Sequence, residues 1–274
     1  MLEYINAINP MGDVVTLPIG ETLNGFYVSD VQGLDPSNAD LVYSDYAGID
    51  GSKFESSRKK SRDISISIEY DPDFIETTPE SSRKFLWKHF MTGSNVTLHF
   101  VFSGGETKVI EGQVETFSGD RFTDAPRAKI NIVCPRVYFY SLEPVTFSGT
   151  SVSNNSTTNI EYKGNAPTGF LLEIDVPKGR QINLIQVTTE HSDEKYQLEF
   201  VTKLTDADVV RINTVPGNKT VIVNRLGIDL PMLGYVSPTS RWPLLFPGSN
   251  KFRVNISGAA VPYTVTYLER DDAI

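Results

Sequence analysis

Residues 62–70 read RDISISIEY, with isoleucine at 64, 66 and 68 and a polar residue at each step between. A helix would scatter those three side chains around its circumference. A strand sets all of them on one face, so this stretch predicts a β-strand with one side against a core. NGFYVSDVQGL (Asn24–Leu34), NVTLHFVF (Asn95–Phe102) and TKVIEGQVETF (Thr107–Phe117) alternate in the same way. Ser103-Gly104-Gly105-Glu106 links two of these runs, and glycine reaches positive φ without steric cost, which predicts a hairpin.

One segment breaks the period. TTPESSRKFLWKHFMTG offers Thr78 as an N-cap, Pro79 at the first helical position and Glu80 in the first turn, where the helix dipole favours an anion. Leu86, Trp87, Phe90 and Met91 recur at helical spacing, and Gly93 can end the helix. The pattern predicts one short helix, Pro79 to Thr92, whose Trp87 and His89 pack on a sheet.

CPRVYFYSLEPVTFSGTSVSNNSTTN then brings Pro135, Pro144 and a Ser/Asn/Thr-rich stretch at 151–159, the composition of a linker or long loop. A domain boundary is placed at this seam, giving domains 1–137 and 138–274. Past it come short strand patterns: Gly169–Val176, Arg180–Thr189, Tyr196–Val201, Val209–Asn213, Lys219–Asn224, Asn250–Ser257 and Pro262–Arg270. Turn residues such as Pro177-Lys178-Gly179 and Pro216-Gly217-Asn218 separate them, the rhythm of a β-sandwich. In WPLLFPGSNKFRV, Pro247 and Gly248 suit a tight turn, and Asn250 is placed to bond its own backbone. Phe252, Val254 and Ile256 would then face one way, with Trp242 and Leu245 closing the end of the sandwich. The fold class expected is all-β with one short helix.

Catalytic signals are weak. No phosphate loop, dinucleotide fingerprint, nucleophile elbow or zincin motif occurs. The lone Cys134 ends a strand-like run and reads as buried. It excludes an internal disulfide and suits synthesis in a reducing cytosol. His89, His99 and His191 lack metal-ligand spacing. Asp71/Asp73 and Asp206/Asp208 share alternate positions but read as solvated loop or turn residues. No enzyme activity, cofactor or metal is expected. MLEYINAINPMGD lacks the basic-then-apolar order of a signal peptide, and no run reaches membrane-spanning length, so no membrane insertion is expected.

Charge carries a sharper question. The chain has a net charge of −9, yet Lys53, Arg58, Lys59, Lys60 and Arg62 fall within ten positions. Nucleic acid and a neighbouring subunit are the two candidate partners. A nucleic-acid surface usually covers a whole domain face, whereas residues before Tyr138 include 20 acidic against 13 basic. The cluster is therefore read as a protruding hairpin or loop that holds the next copy of the same chain.

Several of these motifs together resemble the distal tail protein family of bacteriophages with long, flexible, non-contractile tails. The resemblance runs over nearly the full length. AGIDGSKFESSRKKSRDISISIEY, with its D-G turn and an arginine before the alternating strand, is followed by a short helix and a hairpin. INIVCPRVYFYS is similar to the family's strand–Cys–Pro–aromatic junction. YKGNAPTGFLLEI, DADVVRINTVPGNKTVIVN and SRWPLLFPGSNKFRVNISG look like its galectin-like domain. The resemblance implies an N-terminal ring-forming β domain and a C-terminal galectin-like β-sandwich, assembled as a hexameric ring at the virion tail tip. It implies synthesis in the host cytoplasm. Its implied partners are the tail tube protein, the tail hub, and receptor-binding or baseplate proteins, with DNA passing through the ring; the net charge of −9 adds the expectation that this DNA is not bound. The rival from another class is a carbohydrate-binding module on the host surface, for which Trp242, Arg211, Asn213 and Arg241 are the candidate contacts. An enzyme acting on cell-wall polymer is the third reading, and no acid/base pair supports it.

Overall fold

The computed structural model describes residues 1–120, 126–151, 156–206, 208–257 and 260–274. The chain divides into two compact units, one of Met1–Leu142 with Asp271–Ile274, the other of Glu143–Arg270.

In the first unit the strands are β1 (Leu2–Ile8), β2 (Val14–Pro18), β3 (Phe26–Gln32), β4 (Ala39–Asp45), β5 (Ser52–Lys59) and β6 (Arg62–Tyr70). Helix α1 (Pro79–His89) follows, then β7 (Asn95–Phe102), β8 (Thr107–Gly119), β9 (Arg127–Cys134) and β10 (Phe139–Ser141). The main sheet runs β2-β1-β7-β8-β9-β6-β3, and β10 pairs with β8. Its two edges meet at a parallel bridge between Ile19 and Val28. Ile64, Ile66 and Ile68 of β6 are fully buried beside Ile5, Leu17, Phe26, Leu98, Phe100 and Ile130, as the alternation demands. β10 carries the first unit five residues past the expected boundary at 137, and Asp271–Ile274, expected in the second domain, belong to the first.

Helix α1 begins as its sequence dictates. Thr78 accepts from the Ser81 amide, Ser81 accepts from the Thr78 amide, and Pro79 opens the first turn. It stops three residues before the expected end. Leu86 and Phe90 are buried, and so is His89, whose ring packs on Phe85 at 4.9 Å. Trp87, expected in the core, is 42% exposed and meets Phe117 edge-on. Leu86 and Phe90 point at the sheet from one line of the helix, and Trp87 lies one position, about 100°, away from Leu86.

The second unit has a six-stranded sheet in the order β11 (Val145–Thr150), β20 (Pro262–Tyr267), β13 (Leu171–Asp175), β16 (Val209–Asn213), β17 (Thr220–Arg225), β18 (Ile228–Pro231). Its four-stranded partner runs β12 (Thr158–Tyr162), β19 (Gly248–Ile256), β14 (Ile182–His191), β15 (Glu194–Leu204). Phe170, Leu172, Val210, Ile212 and Val265 of one layer share a single core with Ile185, Val187, Leu198, Phe200 and Phe252 of the other. Of the expected linker at 151–159, residues 152–155 lie outside the described residues, and Thr158 already opens β12. A last short strand, β21 (Arg270–Asp271), pairs with β10.

The FPGSN segment is explained atom by atom. Gly248 has φ 86°, and the fully buried Asn250 closes the turn. Its Oδ1 accepts from the Phe246 amide at 2.9 Å, while its Nδ2 donates to the carbonyls of Phe246 and Gly248 at 2.7 and 2.9 Å.

Candidate subunit interface

Strands β4 and β5 pair only with each other. Every residue of β4 is exposed, and so is every residue of β5 but Lys59. A bulge at Val42/Tyr43 leaves Tyr43 opposite Phe54 and Leu41 opposite Ser57. Alternation then sorts the ribbon into two faces. Leu41, Tyr43 and Phe54 lie on one, with the Tyr43 and Phe54 rings edge-to-face at 5.8 Å. Asp40, Val42, Ser44, Lys53 and Arg58 lie on the other. The three apolar side chains are each more than half exposed, and Tyr46 and Ile49 at the tip add to them. A two-stranded ribbon is marginal in water, and none of the described residues covers this one.

The basic cluster is distributed along the ribbon and its root, mostly as intrachain partners. Lys53 pairs with Glu55 at 3.1 Å, and Lys60 with Asp40 at 2.7 Å. Lys59 meets the Asp272 carboxylate and lies 5.0 Å over the Tyr138 ring. Arg62 is a correction to the sequence reading: at 3% exposure it is no surface cation. Its guanidinium donates to the carbonyls of Gly33, Asp35, Val137 and Asp272, with the Phe139 ring 4.6 Å away. Burial lowers its pKa from the ordinary arginine value, against the pull of Asp272. Arg58 alone of the five makes no ion pair among the described residues. The positive charge is thus largely answered inside the chain, and Leu41, Tyr43 and Phe54 are left as an exposed apolar cluster on the ribbon. Sequence reasoning missed Leu41, Tyr43, Phe54 and Asp272. The contiguous Leu41-Val42-Tyr43 hides the alternation, and Asp272 carries no local signal at all.

The four candidate glycan contacts do not converge. Arg211 and Asn213 alternate with the buried Val210 and Ile212 on β16, so they face outward from the six-stranded sheet. Arg211 pairs with Glu173 at 2.8 Å, and Asn213 accepts from the Val215 amide. Arg241 sits with the other sheet, its guanidinium 4.4 Å over Tyr196 and 3.5 Å from Glu194. Trp242 packs against the sandwich core beneath the Lys219 ammonium. A half-open cleft of about 400 Å³ at the β14–β15 turn, lined by His191, Asp193, Glu194 and Lys251 among others, includes none of the four.

Side chains that could do chemistry are tied down. Cys134 is fully buried, which pushes its thiol up to about 12. Asp73 accepts from the amides of Ile75, Glu76 and Thr77, and these hold its carboxyl at about 2. Asp208, read from sequence as solvated, is buried and takes two hydrogen bonds from Arg225, at 2.9 and 2.7 Å. Asp206 accepts from the Gly179 amide at 3.3 Å. Among the described residues, no three His, Cys, Asp or Glu side chains are grouped to hold a metal, and no helix is long and apolar enough to cross a membrane.

Residues 163–271 match the family model of the siphovirus-type tail component, C-terminal domain. The chain also superposes on the crystal structure of the SPP1 Dit (gp 19.1) protein, titled a paradigm of the hub adsorption apparatus in Gram-positive-infecting phages. That alignment covers 97% of this chain and 98% of the other, with a TM-score of 0.66 and 13% identity. A chain of the phage P2 baseplate in its activated conformation aligns over 100% of both, with a TM-score of 0.47 and 11% identity. No curated protein matches the sequence.

Proposed function

Starting from a siphovirus-type tail component domain at residues 163–271 and a Dit fold over the whole chain, we propose that this protein is a structural subunit of a phage tail tip. Copies close into a ring, six by the family resemblance, between the tail tube and the hub, baseplate or receptor-binding proteins. DNA passes through the ring, and the protein performs no catalysis. It is made in the host cytoplasm and resides at the virion tail tip.

The observation that carries this reading is the β4–β5 ribbon. Leu41, Tyr43 and Phe54 stand in water on a face that the described residues leave bare. In a closed ring, each copy presents one patch and receives another, so a projecting arm finds its cover on the neighbour. The contact is apolar at its centre, and Lys53 and Arg58 stand on the opposite face of the ribbon, outside it.

Native mass spectrometry and negative-stain imaging of the purified protein test this directly. A closed ring of one fixed copy number is expected. Replacing Leu41, Tyr43 and Phe54 together by Ser leaves a folded single chain that no longer closes. Charge reversal of Arg58 and Lys60 weakens the ring only slightly, since exposed pairs contribute about 0–1 kcal/mol each. A wild type that stays a single chain at every concentration, or a triple-serine variant that assembles normally, overturns the proposal.

A further inference from the structure

The ribbon leaves the body of the first unit through Gly33–Ser37 and returns through Lys59–Arg62. Gly33 has φ 91°, and a Cβ there would lie 2.1 Å from the Asp63 carbonyl, so the outgoing root passes tight against the returning one. Both roots end on the same residue, Asp272. Its carboxylate meets Lys59 and lies 3.8 Å from the Arg62 guanidinium, and Ser37 Oγ stands 3.5 Å from it. Its carbonyl accepts from Arg62 Nη2 at 2.5 Å. Arg62 in turn holds the outgoing root through the Gly33 and Asp35 carbonyls at 2.5 and 2.6 Å. Two positions on, the Ile274 amide donates to the Leu34 carbonyl at 3.2 Å, and its side chain packs on the core of the first unit.

We propose that residues 271–274 act as a strap, with Asp272 as the positioning residue that locks the root of the β4–β5 arm and so fixes its direction. The ribbon pairs only with itself, so no ladder to the main sheet holds its angle. The contacts at its root must do so: Arg62 and the Lys60 amide reach the outgoing root directly, and Asp272 braces both sides from a third segment. Losing the part-buried Asp272 carboxylate leaves the buried Arg62 guanidinium with less compensating charge. The strap also follows the second unit in the chain. A polypeptide that lacks everything after Arg270 therefore has an unlocked arm, which makes arm placement conditional on the second unit having been made.

The inference stands on intrachain geometry and is testable whether or not the protein forms rings. Dyes are placed at Ile49→Cys on the arm tip and Glu115→Cys on β8, with Ser29→Cys and Glu115→Cys as a pair within the body. Native Cys134 is buried and does not label. Single-molecule energy transfer at picomolar concentration, in the full chain, is expected to give one narrow arm-to-body distance. Asp272→Asn, which removes the charge and keeps the backbone contacts, broadens that distribution about twofold or more. Asp272→Ala and Lys59→Met broaden it likewise, and Asp272→Glu restores part of the narrowing. The body pair stays narrow in all of them. An arm distribution as narrow in Asp272→Asn and Asp272→Ala as in the wild type overturns the lock. So does broadening of the body pair in step with the arm, since that reports general loosening of the unit.

Discussion

Lys108 and Asp271 are separated by 163 positions in the chain, and their Nζ and Oδ2 atoms lie 2.5 Å apart with each side chain 9% exposed. Burial alone pulls the Lys108 ammonium pKa down. Hydrogen bonds to Asp271 and Glu106 outweigh it and hold the group above its ordinary value. This pair anchors the strap one residue before Asp272.

The first prediction concerns that pair. Asp271→Leu removes the closest anion from a buried ammonium. Breaking a buried pair costs about 3–5 kcal/mol, and retention of Glu106 puts the loss at the lower end of that range. Urea denaturation of the first unit reads it. Because the folded pKa of Lys108 is raised, its stabilising contribution is complete below the unfolded value. It is lost only as pH rises through the folded one. The variant and wild type should therefore converge in strongly alkaline solution and differ fully at neutral pH.

Asn250→Ala is the second. The side chain makes three hydrogen bonds to the backbone of Phe246 and Gly248 with no exposure to water. Truncation leaves the Phe246 amide and both carbonyls without that partner, at about 1–3 kcal/mol for an unsatisfied buried group. Loss of stability in the second unit alone, read by urea denaturation, is expected. An unchanged midpoint contradicts the role assigned to this turn.

These two sites also mark what sequence could and could not reveal. Asn250 was legible because turn chemistry is local: Pro-Gly-x-Asn names its own geometry within four residues. Strand β6 was legible because a half-buried strand writes its face into alternate isoleucines. The arm is read from sequence only as a protruding hairpin or loop around Lys53–Arg62, and its outgoing strand β4 escapes, because neither strand has a buried face among the described residues to impose alternation. Arg62 was assigned to the surface with its basic neighbours because charge is visible in a sequence and burial is not. Trp87 was assigned to the core because the spacing of Leu86, Trp87, Phe90 and Met91 gives a stripe without saying which part of it meets the sheet. The partners of Arg62 come from Gly33, Asp35, Val137 and Asp272, and no short-range rule links those positions.

Asp73 yields the third prediction. Its carboxyl is held at about 2 by the amides of Thr77, Ile75 and Glu76 at the entry to α1. A depressed carboxylate stabilises the fold above its unfolded pKa of about 3.9 and loses that effect as pH falls through the folded value. Carbon-detected NMR titration should place the Asp73 midpoint near 2. Asp73→Ala should remove part of the acid-side dependence of stability between about pH 4 and 2. A midpoint at the ordinary aspartate value contradicts the loop geometry described for residues 73–77.

The last prediction is that the assembled protein does not retain duplex DNA, as the proposed passage of DNA through a ring requires. Affinity for duplex comes largely from Lys and Arg displacing the counterions condensed on phosphates. The chain carries −9 overall, and residues before Tyr138 hold 20 acidic against 13 basic side chains. Of the cations that looked available, all but Arg58 are engaged elsewhere. Arg62 and Lys108 are buried, Lys59 is on Asp272, Lys60 on Asp40 and Lys53 on Glu55. Like charge between the protein and the phosphates keeps a passing duplex from sticking, which is what a conduit requires. Fluorescence anisotropy of a short labelled duplex, titrated with assembled protein at low salt, should show no saturable rise. Tight binding that weakens steeply with added salt would mean that a basic surface faces the DNA, and would reject this account of where the positive charge goes.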